Sequence, residues 1–408
     1  MKFELFIAGR YLRGYGAGFS KPIVRIAVAS VAIGLAAMIV SVSVVRGFQN
    51  KVGEKVTGFG ADIRISSFET TQSFESIPVS KHQPFYPGLE SMPGVRHIQV
   101  YATKAGIIKT EDQIEGVILK GVGDDYDWNF FNDKLLEGEH PVFTGTDASD
   151  EVLISKTLSS RLGIETGDPV RMYFIMGDEI HPRGRRFTVS GIYETGLEEF
   201  DRMYIYGDIR HVQKLNDWEP DQVGGFEVFV EDFGALGEMA EKIYERVGFE
   251  LNTKTIKELH PQIFEWLSLH DMNAIVIIVL MLVVAAITMI STLLILILER
   301  TQLIGILKAL GANNASLRKI FLINAVYIVG KGMFWGNVAG VGICLIQLYT
   351  GILKLNQESY YVSEVPVELG IDMLLILNLS TFLVCSLLMI LPSYVIRRIA
   401  PIRIIRYG

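Results

Sequence analysis

The residue patterns that run phosphate, metal or acyl chemistry are missing from this 408-residue sequence. No G-x-x-x-x-G-K-[ST] run is present to cradle a nucleotide's phosphates, and Gly330-Lys331-Gly332 only imitates part of one inside an apolar stretch. Neither an H-E-x-x-H pair nor a G-x-S-x-G elbow occurs. The seven histidines lack metal-ligand spacing, and the two cysteines, Cys344 and Cys385, stand apart in apolar runs. Acidic pairs such as Asp124-Asp125 and Glu198-Glu199 lie in a strongly acidic region, where they read as solvated surface. The chain is therefore expected to be noncatalytic, with no metal or cofactor of its own. One stretch does carry recognition chemistry: Glu299, Arg300, then Leu303, Ile304, Gly305, Ile306, Leu307, Lys308, Ala309, Leu310 and Gly311. Leu303, Ile306, Leu307 and Leu310 form a stripe at helical spacing, and Gly311 suits a helix C-terminus. Such a helix either lies on lipid or docks into a partner.

Four apolar segments long enough to cross a bilayer frame that stretch: 26–45, 272–298, 320–348 and 371–396. The first is too long and too late for a cleaved signal, and no small-x-small site follows it. Charge sets the orientation. The N-terminal segment 1–25, the loop 299–319 and the tail 397–408 together hold 13 basic and two acidic residues, whereas 46–271 holds 23 basic and 39 acidic. Basic flanks face the cytoplasm, so both termini and the short loop are expected inside. The large domain 46–271 and the loop 349–370 are expected outside. The net charge of −7 argues against a nucleic-acid partner.

The expected fold class is a four-span membrane α-helical protein with an α+β periplasmic domain inserted between the first two spans. Alternating or β-rich runs at 62–66, 98–110, 114–122, 170–174, 187–193, 203–206 and 225–230 predict strands. Segments 155–162 and 234–247 predict helices, and an amphipathic stretch at 256–269 leads into the second span. Gly332, Gly336 and Gly340 repeat every four residues, a small-residue stripe for close helix packing. Ser30, Gly34, Ala37 and Ser41 form a similar face that either packs on the second span or lines a cavity. Lys331 is an intramembrane charge of structural or headgroup-binding character. Pro392 predicts a kink near the end of the fourth span. Residues 3–12 predict an interfacial elbow helix with aromatics and arginines at headgroup level.

The run Glu299-Arg300 followed by Ile304-Gly305-Ile306-Leu307-Lys308-Ala309-Leu310-Gly311-Ala312 resembles the FtsX-like/MacB-like permease family of ABC transporters. Within that family the chain looks like the LolC/LolE type, the lipoprotein-releasing permeases. Phe6-Ile7-Ala8-Gly9-Arg10-Tyr11-Leu12-Arg13 is similar to the start of that type. So are Val152-Leu153-Ile154-Ser155, Leu162-Gly163-Ile164, Gly167-Asp168-Pro169-Val170 and Phe187–Tyr193. The ending Ala400-Pro401-Ile402-Arg403 with Arg406-Tyr407 is also similar, except that Ala400 stands where an acid is usual. The resemblance implies a permease subunit of the bacterial inner membrane. A separate cytoplasmic ATPase, holding ATP and Mg, would bind the 299–311 helix. A second permease subunit, like or unlike, would complete the cleft, and a periplasmic carrier would receive lipoprotein cargo. It also implies a carrier-binding hook before the 187–193 strand, with Phe174, Ile175, Met176 and Gly177 as an apolar tip and Arg183, Arg185 and Arg186 as a basic base. The family's alternatives are a MacB-like exporter of peptides or small molecules and an FtsX-like mechanotransmitter that activates a cell-wall hydrolase.

Overall fold

Long helices form the four apolar segments, and a mixed sheet forms in the acidic middle of the chain. The computed structural model describes Glu4, Phe6, Ile7 and residues 20–68, 74–110, 113–143, 145, 147–175 and 182–395. Most of the expected elbow, and the tail 397–408, lie outside them. The longer helices are α1 (Ser20–Gly60), α2 (Lys156–Leu162), α3 (Ile209–Leu215), α4 (Leu236–Val247), α5 (Pro261–Glu299), α6 (Thr301–Ala309), α7 (Asn314–Thr350) and α8 (Ile371–Leu388). The strands are β1 (Ile63–Ser66), β2 (Val79–Ser80), β3 (Val95–Lys109), β4 (Ile114–Val122), β5 (Leu135–Gly138) and β6 (Glu151–Ser155), then β7 (Pro169–Phe174), β8 (Arg183–Tyr193), β9 (Tyr204–Asp208), β10 (Gln222–Val223), β11 (Gly225–Val230) and β12 (Asn252–Thr255).

The chain divides into two units. One comprises 1–49, 266–354 and 364–408; the other comprises 50–265 and 355–363. This differs from the expected borders in two ways. The helix of the first span does not stop at 45 but runs to Gly60, so the second unit begins inside a helix. The expected loop 349–370 is also split. Its middle belongs to the second unit, where Lys55 Nζ donates to the Tyr361 carbonyl at 2.9 Å and Leu355 N bonds Ser363 O to close the loop.

Among the described residues, four helices are long and apolar enough to cross a membrane: α1, α5, α7 and the α8 segment. Lipid leaves no water for backbone groups, so helices that satisfy their own ladders are the stable form. The fourth is broken where Pro392 predicts it. α8 ends at Leu388, four residues earlier, because a proline ring clashes with that carbonyl and supplies no N–H to it. A short turn, Ile390–Ser393, follows. Polar ties link the helices. Asn337 and Asn378 exchange amide hydrogen bonds of 2.7 and 2.9 Å between α7 and α8. Arg46 pairs with Asp372 at 2.8 Å, and Ser30 Oγ donates to Thr288 Oγ1 at 3.2 Å.

The second unit is α+β. Among the described residues, ten strands form one sheet in the order β12-β1-β11-β3-β4-β9-β6-β8-β5, with β7 pairing β3 and β8, and β2 and β10 form a separate pair. Most neighbours are antiparallel, but β4 with β9 and β6 with β8 run parallel. β6 feeds directly into α2 through Ser155, whose hydroxyl caps the helix by accepting from Leu158 N. Gly163 follows in the left-handed region at φ 63°, closing it. The expected 256–269 helix is broken at His260: Thr255 and Glu258 form a capping box for one turn, and α5 starts afresh at Pro261.

Two buried carboxyls give this unit a pH dependence. Asp62 accepts from Val230 N at 2.8 Å, and Asp201 accepts from Thr195 Oγ1 at 2.7 Å and Gly196 N at 3.1 Å. Burial outweighs these hydrogen bonds and lifts each carboxyl to about 6. The folded state therefore binds protons more tightly than the unfolded chain. The contribution of these two groups to stability falls as pH rises from about 4 through about 6 and is level above that, whereas His260, held down to about 4 by burial, contributes in the opposite sense over the same range. Each group contributes a slope of at most about 1.4 kcal/mol per pH unit. Asp62→Asn removes one of these opposing contributions, so its thermal midpoint relative to the wild type should be more favourable near pH 7.5 than near pH 5 in melts followed by intrinsic fluorescence.

Candidate functional site

The stretch with recognition chemistry folds as expected into one short helix, α6, with a defined stop. Gly311 takes φ 94°, which an L side chain rarely adopts. Ala312 N then bonds Leu307 O at 2.9 Å and Gly311 N bonds Lys308 O at 3.0 Å, the paired closure of a Schellman turn. Asn313 immediately starts α7, its side chain accepting from Ser316 N at 2.7 Å. Two helices are thus joined through the four residues 310–313, of which Gly311 ends the first and Asn313 caps the second.

The stripe of Leu303, Ile306, Leu307 and Leu310 faces outward except at the half-buried Leu307, and the inward anchor is Ile304, which lies off the stripe. Ile304 is fully buried in the membrane unit's core with Met289, Leu293 and Ile297 of α5 and Leu317 and Phe321 of α7, and Leu307 packs partly against the same cluster. Gly305 is also buried. Leu303, Ile306 and Leu310 are 36, 53 and 79% exposed and lie one helical face apart from Ile304. Ala309 and Glu299 are exposed, and Arg300 and Lys308 are half-buried. The arrangement is an anchored lever: one isoleucine inside, three large apolar side chains outside.

The glycine stripe lies against α1. A Cβ at Gly332 would come within 2.7 Å of Val31 Cβ, at Gly336 within 2.9 Å of both Ala32 O and Leu35 Cβ, and at Gly340 within 3.0 Å of Ala36 Cα. Gly330 and Gly342, on the same helix, have open space around them. The small-residue face of α1 that sequence left undecided packs on α5, through the Ser30–Thr288 bond and through Gly34 beside Met281. Lys331 is exposed, with its ammonium 4.6 Å from the Tyr327 ring centre.

The expected hook is a β-hairpin whose turn lies largely outside the described residues, Met176 and Gly177 included. β7 pairs antiparallel with β8 up to Phe174 opposite Arg183. Phe174 corrects its assignment as tip. It is fully buried and its ring lies over Gly106, because Val170, Met172 and Phe174 alternate onto the core face of β7. Ile175 is 58% exposed. Arg183 pairs with Asp217 at 3.6 Å, Arg185 is half-buried and Arg186 is exposed. Sequence reasoning missed the Asn337–Asn378 exchange, although an asparagine within an apolar span is itself a signal of an interhelical partner.

Four spans, an α+β unit inserted after the first and a capped helix between the second and third define a permease subunit of an ABC transporter. Residues 26–243, more than half of the chain, match the MacB-like periplasmic core domain, and residues 275–401 match the FtsX-like permease C-terminal region. The chain belongs to this MacB-like/FtsX-like family, and it is a multi-pass membrane protein with a periplasmic domain. It is similar to the lipoprotein-releasing system transmembrane protein LolC of Xylella fastidiosa, at 22% identity over 98% of this chain and 97% of that one. It is also similar to LolE of Haemophilus influenzae, at 23% identity over 92% and 93%. The periplasmic region of MacB from Actinobacillus actinomycetemcomitans overlaps 51% of this chain and 95% of that one, at 13% identity and a TM-score of 0.33.

The glycine contacts make a graded prediction. Gly336→Leu should destabilise the bundle by about 1–3 kcal/mol through overpacking. Gly342→Leu, with nothing nearby, should leave it unchanged. Denaturant unfolding in detergent micelles reads the difference.

Proposed function

We propose that this chain is one permease subunit of an ABC transporter that extracts lipoproteins from the inner membrane and hands them to a periplasmic carrier. The observation that carries this reading is the likeness to lipoprotein-releasing permeases over nearly the whole length of both chains. The subunit itself is noncatalytic and holds no cofactor; ATP and Mg belong to a separate cytoplasmic ATPase. A second permease subunit pairs with it. Both termini and α6 lie in the cytoplasm, a placement supported by the basic flanks.

The physics of the task favours an ATP-driven device. Each buried methylene contributes about 0.8 kcal/mol to membrane affinity, so a multiply acylated anchor stays in the bilayer without work. A subunit of this kind needs no reacting side chains. It needs a handle for the motor and a stiff path from that handle. The exposed face of α6 suits the handle, since an apolar helix face laid into a groove is a common mode of partner recognition.

Reconstitution with the ATPase, a triacylated lipoprotein and a soluble carrier tests the reading. ATP-dependent transfer to the carrier is expected. ATP hydrolysis without transfer would favour a signalling or small-molecule export role instead. Ile306→Glu and Leu310→Glu should abolish ATPase binding in pull-downs while the permease stays folded. Ile304→Glu should instead destabilise the permease, because it places a carboxylate in the core.

A further inference from the structure

The outer end of α1 terminates on a buried set of charges. The last carbonyls of a helix lack intrahelical donors and carry partial negative charge. Here the Phe59 carbonyl accepts from the ammonium of Lys120 at 3.2 Å, and Lys120 on β4 is only 2% exposed. Lys120 Nζ lies 2.7 Å from the carboxylate of Glu227 on β11, which is fully buried. The other Glu227 oxygen accepts from Gln99 Nε2 at 2.9 Å, on β3, and Arg64 of β1 approaches the first at 3.7 Å. The register explains the convergence. Arg64, Glu227 and Gln99 stand opposite one another across three adjacent strands. Tyr206 stands opposite Lys120 on β9, and its ring centre is 5.6 Å from the ammonium. The final turn of α1 is equally tight: a Cβ at Gly58 would overlap the Phe130 ring, and one at Gly60 would meet Ile256 at 2.9 Å.

Well-packed apolar residues would stabilise such a site as well or better than a buried ion pair. What the pair adds is direction, because a charged donor and acceptor fix the helix end against particular strands, whereas apolar contacts let it slide. We infer that Lys120 and Glu227 are positioning residues that lock the end of α1 to the sheet, so that displacement of α1 moves the sheet as one body. This rests on the proposed transport reading for its purpose, but the joint itself is measurable without it.

The test uses the full chain with its ATPase in nanodiscs and the double variant Lys120→Met/Glu227→Gln, which removes both charges of the pair and leaves the partly exposed Arg64 as the remaining charge. Spin labels at Glu54 on α1 and Glu219 report the helix against the domain. The wild type should give one narrow distance, the same with and without ATP. The double variant, still cooperative in thermal melts, should give a broadened distribution. It should also release about tenfold less lipoprotein per ATP hydrolysed, a typical coupling loss, while the hydrolysis rate holds. A narrow, unchanged distance in the folded double variant overturns the joint. If the double variant does not fold, Lys120→Arg, which keeps the charge, must restore both the fold and the narrow distance; a broad distribution there also overturns it. Wild-type complex that hydrolyses ATP without releasing lipoprotein overturns the transport reading instead, and the distance still decides the joint.

Discussion

One helix in this protein has to hold its shape in two solvents. Along its apolar stretch α1 has no water to compete for its backbone, and helicity is enforced by the medium itself. What remains to be fixed there is position, and close approach to α7 across Gly332, Gly336 and Gly340 fixes it largely by shape, with the Ser30–Thr288 hydrogen bond beside it. Beyond Val45 the conditions reverse. Water competes for every carbonyl, and the helix survives because Val52, Val56 and Phe59 are buried and its end is capped. The same continuous ladder is thus held by shape at one end and by charge at the other.

The short helix between the second and third spans follows a comparable division of labour on a smaller scale. α6 is nine residues long, too short to be stable alone. Ile304 ties it to the bundle core, and the Gly311 turn sets its direction. Fixing the helix this way leaves its remaining apolar side chains pointing outward without any need for them to pack internally. The single buried anchor places the outer face in a fixed relation to the helices it packs with, α5 and α7.

Much of this was legible in the sequence, for specific reasons. The spans announce themselves by composition, and the α6 stop is written in Gly311 and Asn313. The strands at 114–122 and 225–230 take the bounds their β-rich runs predict, and both are buried continuously over most of their length. The length of α1 was readable too, since Phe48, Val52, Val56 and Phe59 recur at helical spacing past the apolar run, but a hydropathy criterion stops at Val45. Phe174 was misread because its place in an apolar cluster outweighed its β alternation with Val170 and Met172. The edge strands β5 and β12 are four residues each, and β12, Asn-Thr-Lys-Thr, is wholly polar, which leaves too little pattern to read. The Lys120–Glu227 pair could not be seen at all. A lysine and a glutamate over a hundred positions apart look like solvated charges until the strand order brings them together. Which side of α6 faces inward is likewise a property of the bundle, not of the stripe.

The strand order also governs how the protein must be made. β1 follows α1 directly, yet its partners β11 and β12 lie about 160 residues or more downstream. At about 5–20 residues per second, the ribosome needs roughly 8 to 30 seconds to supply them. For that interval the nascent first span is anchored while its outer end has no cap and β1 has no neighbour. The exposure of that edge during synthesis is set by topology, not by final stability.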